Sequence, residues 1–456
     1  MKEKAEDVLS SSAFLINSYN QPTRMNTTTT NWNFTQKFLF RFFFVFFMIS
    51  IAPWTWIENI PYVAEATVPW YWLQDQIVQF ANRSIFKVYK ELVPLNGSGD
   101  TSWAWTHLWF FILFSFLAAT IWSLADRNKP AYPRWNYVLV TVVRYQVAMV
   151  SFGYGIIKLF ALQMWFPSLS QLATPLGEYL PMRFSWMFIG YSSPYQIFSG
   201  AAEVFAGLLL FNRKTATLGA MVALAVFTNV MAMNYSYDIP VKLFSTELVV
   251  MSFFLVAQEH KRILSFFVFN QPAPTSSLYE IVITKKWQRI ARYVLKGLFV
   301  LFVIILPFYD SYQRYVDRNQ IADQPPIRSG IYDVADFAIN KDTIPAIAGD
   351  STRWTQFILQ PGTTGSMISS DTLFRKAYGR SYFGYFVDST QQQIEFRWAG
   401  KQSDSLFTLK YSIPDSSTIL LRGPVKGDTV FVRLKRNNKQ YRLAEKQFHW
   451  LSEYNR

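Results

Sequence analysis

The sequence of 456 residues contains no cysteine. That absence excludes disulfides, thiolate metal sites, cysteine-ligated iron–sulfur clusters and thiol redox chemistry. Histidine is almost as scarce. His107, His260 and His449 lie far apart, which leaves no imidazole cluster for a haem or copper core. Charge is short as well: Asp, Glu, Lys and Arg make up 16% of the chain, against about 25% in soluble domains. An ordinary soluble enzyme does not fit, and no nucleophile–base constellation stands out.

What the chain has instead is apolar bulk. Hydrophobic residues account for 51%, including 42 Phe and 16 Trp. The mean hydropathy is nevertheless only +0.09, so a polar portion must dilute a very hydrophobic one. Residues 1–34 are polar and rich in Ser, Asn and Thr and read as a disordered tail, with Met25 an alternative start to Met1. Phe38–Ile57 is a Phe/Val/Ile run broken near its start by Arg41, and about 20 apolar residues span a bilayer. Pro53, Trp54 and Trp56 follow where a cleavable signal would need small residues, so this reads as a retained first span. Six more spans are expected at 103–124, 137–160, 194–211, 215–234, 240–257 and 293–309. Between the first two, Leu73, Ile77, Phe80, Ala81 and Val88 alternate at helical spacing with Gln76, Gln79, Arg83 and Lys87, a pattern that suits an interfacial helix.

The expected fold class is therefore an α-helical polytopic membrane bundle of about seven spans over 35–310, followed by a linker at 311–329 and a β-domain at 330–456. In the last part, short alternating runs recur between turn signals such as Pro361-Gly362, Pro414-Asp415 and Lys426-Gly427-Asp428. An all-β antiparallel barrel or sandwich follows from that rhythm. Fifteen basic residues fall in the segments that share a side with the N-terminus, against four in the three opposite loops. By the positive-inside rule the N-terminus is cytoplasmic and the β-domain lies outside. The net charge of +14 does not signal nucleic acid, because much of the excess is this loop basicity. The 18 basic and 12 acidic residues from 327 onward are dispersed along the strands. The lipid bilayer is the partner this charge suits.

Charged groups inside a span are costly and mark function. Glu203 sits mid-span in Gly200-Ala-Ala-Glu203-Val-Phe-Ala-Gly207. Positions 200, 203 and 207 share an arc of about 60°, a small-residue face with one carboxylate that suits close helix packing. In the preceding span Arg144, Ala148, Ser151, Gly155 and Lys158 share an arc of about 80°, with Tyr154 at its edge. Glu203 paired with Lys158 or Arg144 would satisfy both stripes. A third group comprises Asn229, Asn234, Asp238, Lys242 and Glu247. Asp238 before Pro240 reads first as a helix cap. Lys242 sits where the helix dipole disfavours a cation and so calls for a partner such as Asp238. Asp100 or Ser102 would cap the second span.

The pieces Gly153-Tyr-Gly-Ile-Ile-Lys158, Gly200-Ala-Ala-Glu203-Val-Phe-Ala-Gly207, Arg213-Lys214-Thr215 and Asn234-Tyr-Ser-Tyr-Asp238-Ile-Pro-Val-Lys242 resemble bacterial DoxX-like membrane proteins. That core would occupy about 137–270. Gly330-Ile-Tyr332 and Phe448-His449-Trp450 resemble a long subtype with a C-terminal β-domain. The resemblance implies the bacterial cytoplasmic (inner) membrane, with the β-domain periplasmic. It also implies association with membrane redox proteins and quinone chemistry, and it supplies no catalytic residues. The expected function is a non-catalytic membrane component that holds a small lipophilic ligand, a quinone or lipid, near Glu203, Lys158, Arg144 and Tyr154. The alternative is a proton-coupled transporter that titrates Glu203, Asp238 and Glu247.

Overall fold

A computed structural model describes residues 31–276, 278–279, 281, 283–347, 353–400, 404–445, 450–451 and 453. Most of the expected N-terminal tail and the Phe448-His449 pair lie outside the described residues. The helical part comprises α1 (Phe34–Ile51), α2 (Val68–Ala81), α3 (Ser102–Ala125), α4 (Pro133–Leu159), α5 (Pro181–Tyr191), α6 (Ser193–Phe211), α7 (Ala216–Ser236), α8 (Lys242–Ala257), α9 (His260–Phe267) and α10 (Lys286–Asn319). Among the described residues six helices are long and apolar enough to cross a membrane: α1, α3, α4, α6, α7 and α10. The region expected to form a further span is α8. At 16 residues it is about 24 Å long, shorter than a hydrocarbon core of about 30 Å.

Local chemistry sets the helix ends. Asn33 and Gln36 form a reciprocal capping box at the start of α1, which satisfies two orphan donors. The helix stops at Ala52, which is left-handed and precedes Pro53. Thr101, rather than the expected Asp100 or Ser102, caps α3 through a bond to the Ala104 amide. Pro133 and Pro194 occupy first turns of α4 and α6, where a missing N–H costs nothing. Arg41, the one charge in the first run, is buried. Its guanidinium donates to the Tyr132 hydroxyl at 2.6 Å, to Ser123 Oγ at 2.8 Å and to the Asp126 carbonyl at 2.9 Å, while Tyr132 donates to the Asp126 carboxylate. This knot ties the start of α1 to the turn between α3 and α4.

The bundle core is built from Phe47, Leu139, Val143, Val147, Phe152, Leu210 and Ala223. At its centre α4 crosses α6 with their backbones nearly touching. A Cβ on Gly155 would lie 2.9 Å from the Gly200 carbonyl, and one on Gly200 would lie 2.7 Å from the Gly155 carbonyl. The small-residue stripes expected on these two helices therefore face each other. On α2, Gln74, Val78 and Ala81 pack inward, while Trp72, Leu73 and Phe80 stay exposed. Of the apolar face expected there, Leu73 and Phe80 point outward, whereas Ala81 is buried and Gln76 is exposed beside them.

Residues 311–319 of the expected linker are helical, since α10 continues through Pro307 to Asn319. A π-helical stretch, Val300–Ile305, precedes the proline and adjusts the backbone around its missing donor. The chain beyond is anchored by Gln324, which accepts from the Val387 amide at 2.9 Å and donates to the Tyr385 carbonyl at 3.2 Å.

The β-domain closes into an antiparallel barrel of β1 (Gly330–Ile339), β3 (Phe357–Leu359), β4 (Thr364–Met367), β6 (Arg380–Asp388), β7 (Gln393–Trp398), β8 (Ser405–Asp415), β9 (Thr418–Val425) and β10 (Asp428–Asn437), with short β2 (Asp342–Thr343) and β5 (Arg375–Ala377) attached to β1 and β6. Pairing of β10 with β1, from Ile331 opposite Asn437 to Ile339 opposite Val430, removes the open edges of the sheet. Alternate residues fill the interior, among them Phe337, Phe357, Phe383, Tyr385, Phe396, Leu409 and Val432, around buried Trp354.

The α4–α6 contact yields a direct expectation. Gly155→Val or Gly200→Val will overpack the crossing and cost about 1–3 kcal/mol. Gly153→Ala will cost nothing, because a Cβ there meets no atom within 4 Å. Thermal unfolding of the purified variants in detergent checks both.

Candidate functional site

Close approach of α4 and α6 lets two charged side chains meet. Lys158 Nζ donates to Glu203 Oε1, and the side chains are 9% and 1% exposed. Lys158 is the penultimate residue of α4, whereas Glu203 is ten residues into α6. The start of α6 therefore projects about 15 Å beyond the level of the pair. Glu203 Oε2 is buried with no hydrogen-bond partner. A buried acceptor of this kind normally has a partner, so an orphan needs an explanation. Tyr154, one turn before Lys158, lies within electrostatic reach of Glu203 and packs its ring 6.2 Å from Phe244.

A roof covers the projecting turns of α6. The chain leaving α4 folds over them, and fully buried Gln196 satisfies its backbone. Gln196 Oε1 accepts from the Gln163 and Met164 amides at 3.2 and 3.0 Å, and Nε2 donates to the Met164 carbonyl at 2.7 Å. From the far end of α10, Arg318 donates to the Ala161 carbonyl at 2.8 Å and lies 5.2 Å from the Trp165 ring. A cleft of about 380 Å³ opens here, lined by Ile157, Leu162, Trp165, Ser311, Arg314 and Arg318 among others.

The barrel sits on the same loop region. Ser170 meets Ser366 at 2.7 Å and accepts from Gln360 Nε2 at 2.7 Å. Buried Arg380 donates to Ser366 Oγ at 2.9 Å and to Gln356 Oε1 at 3.1 Å. Burial pulls the Arg380 guanidinium below its ordinary value. Arg183 reaches the Tyr378 hydroxyl at 3.4 Å. None of these docking residues carried a sequence signal beyond being polar. Gln196 lay in an expected span and stood out only as an amide among apolar neighbours.

The other expected site residues disperse. Arg144 does not join the pair. Its guanidinium lies 5.1 Å from the Tyr145 ring, about 21 Å along α4 from Lys158. Asn229 is exposed on α7. Buried Asn234 donates to the Val241 carbonyl at 3.4 Å. Asp238 is not the cap of α8. Its backbone is left-handed, and it pairs instead with Lys242 at 2.7 Å. Asp100, distant in sequence, caps α8 by accepting from the Lys242 and Leu243 amides at 2.9 and 3.0 Å. It also lies 3.6 Å from Lys242 Nζ. Two carboxylates thus offset the cation at the positive end of the helix dipole. Glu247 accepts from Ser50 of α1. Among the described residues no group of three or more His, Asp or Glu could hold a metal ion.

The arrangement offers one buried cation, one carboxylate oxygen free to accept, and a phenol nearby. Such a set can bind and orient a polar head on a lipophilic molecule. The whole is a multi-pass helical membrane protein with a β-barrel appended. No family model matches the chain, and no solved structure matches it. It is similar to an uncharacterised protein, YwoB, of Bacillus subtilis (strain 168), with 36% identity over 83 residues. The match covers 18% of this chain and 54% of that protein, so about half of the relative's length is spanned.

Removing one partner of a buried ion pair strands the other, at a cost of about 3–5 kcal/mol. Lys158→Met and Glu203→Gln will each show that loss in thermal unfolding. The double variant will recover most of it, giving a large coupling energy; additive losses would show that the two side chains do not interact.

Proposed function

We propose that this chain is a DoxX-like, non-catalytic component of the bacterial cytoplasmic membrane that binds a small lipophilic ligand, a quinone or a lipid, beside Lys158 and Glu203. The carrying observation is Glu203 Oε2, a buried acceptor without a donor. A quinol hydroxyl or a lipid headgroup hydroxyl would fill that vacancy. The Lys158 ammonium has three donors, so it can serve a ligand carbonyl while keeping Glu203. The cleft beside Ile157 and Trp165, lined also by Arg314, Asp317 and Arg318, opens at the same end of α4. Quinone binding, and with it a place among membrane redox proteins, follows from the resemblance carried by Gly153–Lys158 and Gly200–Gly207.

The proposed orientation puts the N-terminus in the cytoplasm and the barrel in the periplasm. It is supported by the basic residues Arg127, Lys129, Arg134, Arg213 and Lys214, which gather in the turns at the helix ends away from the barrel. A proton-coupled transport path has less support, because Asp238 is 82% exposed and Glu247 is engaged by Ser50.

Menaquinone at about a hundred times its Kd should stabilise the purified wild-type protein by about 2.7 kcal/mol. Glu203→Gln should show no ligand-dependent shift. If neither protein responds to menaquinone or to added lipid, the binding reading is wrong.

A further inference from the structure

The first turns of α10 carry charge that neither the ion pair nor the barrel uses. Lys285, Lys286, Arg289, Arg292 and Lys296 fall within twelve residues, and no acidic residue occurs from Ile281 to Tyr309. Lys285, Arg289, Arg292 and Lys296 share an arc of about 60°. The opposite side presents Ile290, Val294 and Leu298, all exposed. Like-signed charge at the positive end of a helix dipole is unfavourable unless an anion offsets it.

A second helix adds to the surface. Lys296 Nζ lies 5.1 Å from the Phe211 ring and within electrostatic reach of Arg144 on α4. Arg144 Nε is buried with no hydrogen-bond partner. The rings of Phe299, Tyr145 and Phe211 pack together beneath, at 5.2 and 5.5 Å. At 34 residues, α10 is about 51 Å long and overruns a hydrocarbon core of about 30 Å. Its barrel end is fixed by Arg318, so the basic turns fall in the headgroup layer on the opposite face.

We propose that this surface is a binding site for the phosphate of an anionic phospholipid. The guanidinium groups of Arg292 and Arg144 and the ammonium of Lys296 hold the phosphate oxygens. Guanidinium forks suit that geometry. The acyl chains run into the bilayer over the Phe299, Tyr145 and Phe211 rings beneath those cations. The site shares no residue with the Lys158–Glu203 pair and stands whether or not a quinone binds there.

The test uses the full-length protein in vesicles of equal phosphatidylglycerol and phosphatidylcholine, extracted mildly, with the retained lipid quantified by mass spectrometry. Wild-type protein should retain phosphatidylglycerol in preference to phosphatidylcholine. The variant Arg292→Gln with Lys296→Gln removes two of the three cations that hold the phosphate and keeps polar side chains at both positions. Its enrichment should fall about fivefold per cation removed. Excess inorganic phosphate should leave the wild-type enrichment unchanged. Equal retention of the two lipids, an undiminished preference in the variant, or displacement by inorganic phosphate would each overturn the proposal.

Discussion

A carboxylate placed halfway along an apolar helix must find a cation or be expelled, and the helical half of this protein is arranged around that demand. Glu203 cannot reach water from where α6 puts it, so Lys158 comes to it. The approach works because Gly155 and Gly200 bring two backbones to within the space a methyl group would occupy. The pair and the glycine crossing are one device. The glycines set the distance at which the charges meet, and the charges make that crossing preferable to other pairings of apolar helices, which lipid alone would not distinguish.

The remaining architecture shields this device. Because α6 overshoots α4, the chain after Leu159 must turn back across exposed helix, and Gln196 supplies the hydrogen bonds that hold this half-buried loop. That loop then becomes the seat of the barrel through Ser170, Ser366 and Arg380. α10 closes the structure from the other side, with Arg318 holding the roof and Gln324 threading into the barrel wall. Membrane bundle and β-barrel are therefore joined by specific polar contacts around the roof of the site.

Much of the fold was legible because its signals are periodic. Long apolar runs marked α1, α3 and α10, and alternation marked β7 and β10. The facing stripes on α4 and α6 could be read from helical spacing, which offered Lys158 or Arg144 as the partner of Glu203; only the fold selects Lys158. What escaped depends on three-dimensional proximity. Asp100 caps α8 from about 140 residues away, a partner that sequence proximity, which favours Asp238, does not reveal. The strand β4, Thr364–Met367, lacks β-branched apolar bulk, and Gly365 is there because Phe383 lies over it, where a Cβ would come within 2.5 Å. The helical continuation of α10 past Pro307 was hidden by a residue that usually ends helices and here is accommodated by a π-turn.

Charge on the bundle is sorted by depth and by end. Acidic residues cap and pair near the barrel face, as Asp100 and Asp238 do around Lys242. At the other face Asp126 and Glu259 pair with Lys129 and Arg262, while the first turns of α10 carry cations with no acid among residues 281–309. Between them stands the buried Lys158–Glu203 pair on which the site depends. Infrared difference spectroscopy between wild-type protein and Glu203→Gln in lipid bilayers tests it most directly. Loss of ionised-carboxylate stretches in the variant is the outcome expected of a Lys158-paired Glu203. Loss of the carbonyl stretch of a neutral acid would contradict the account.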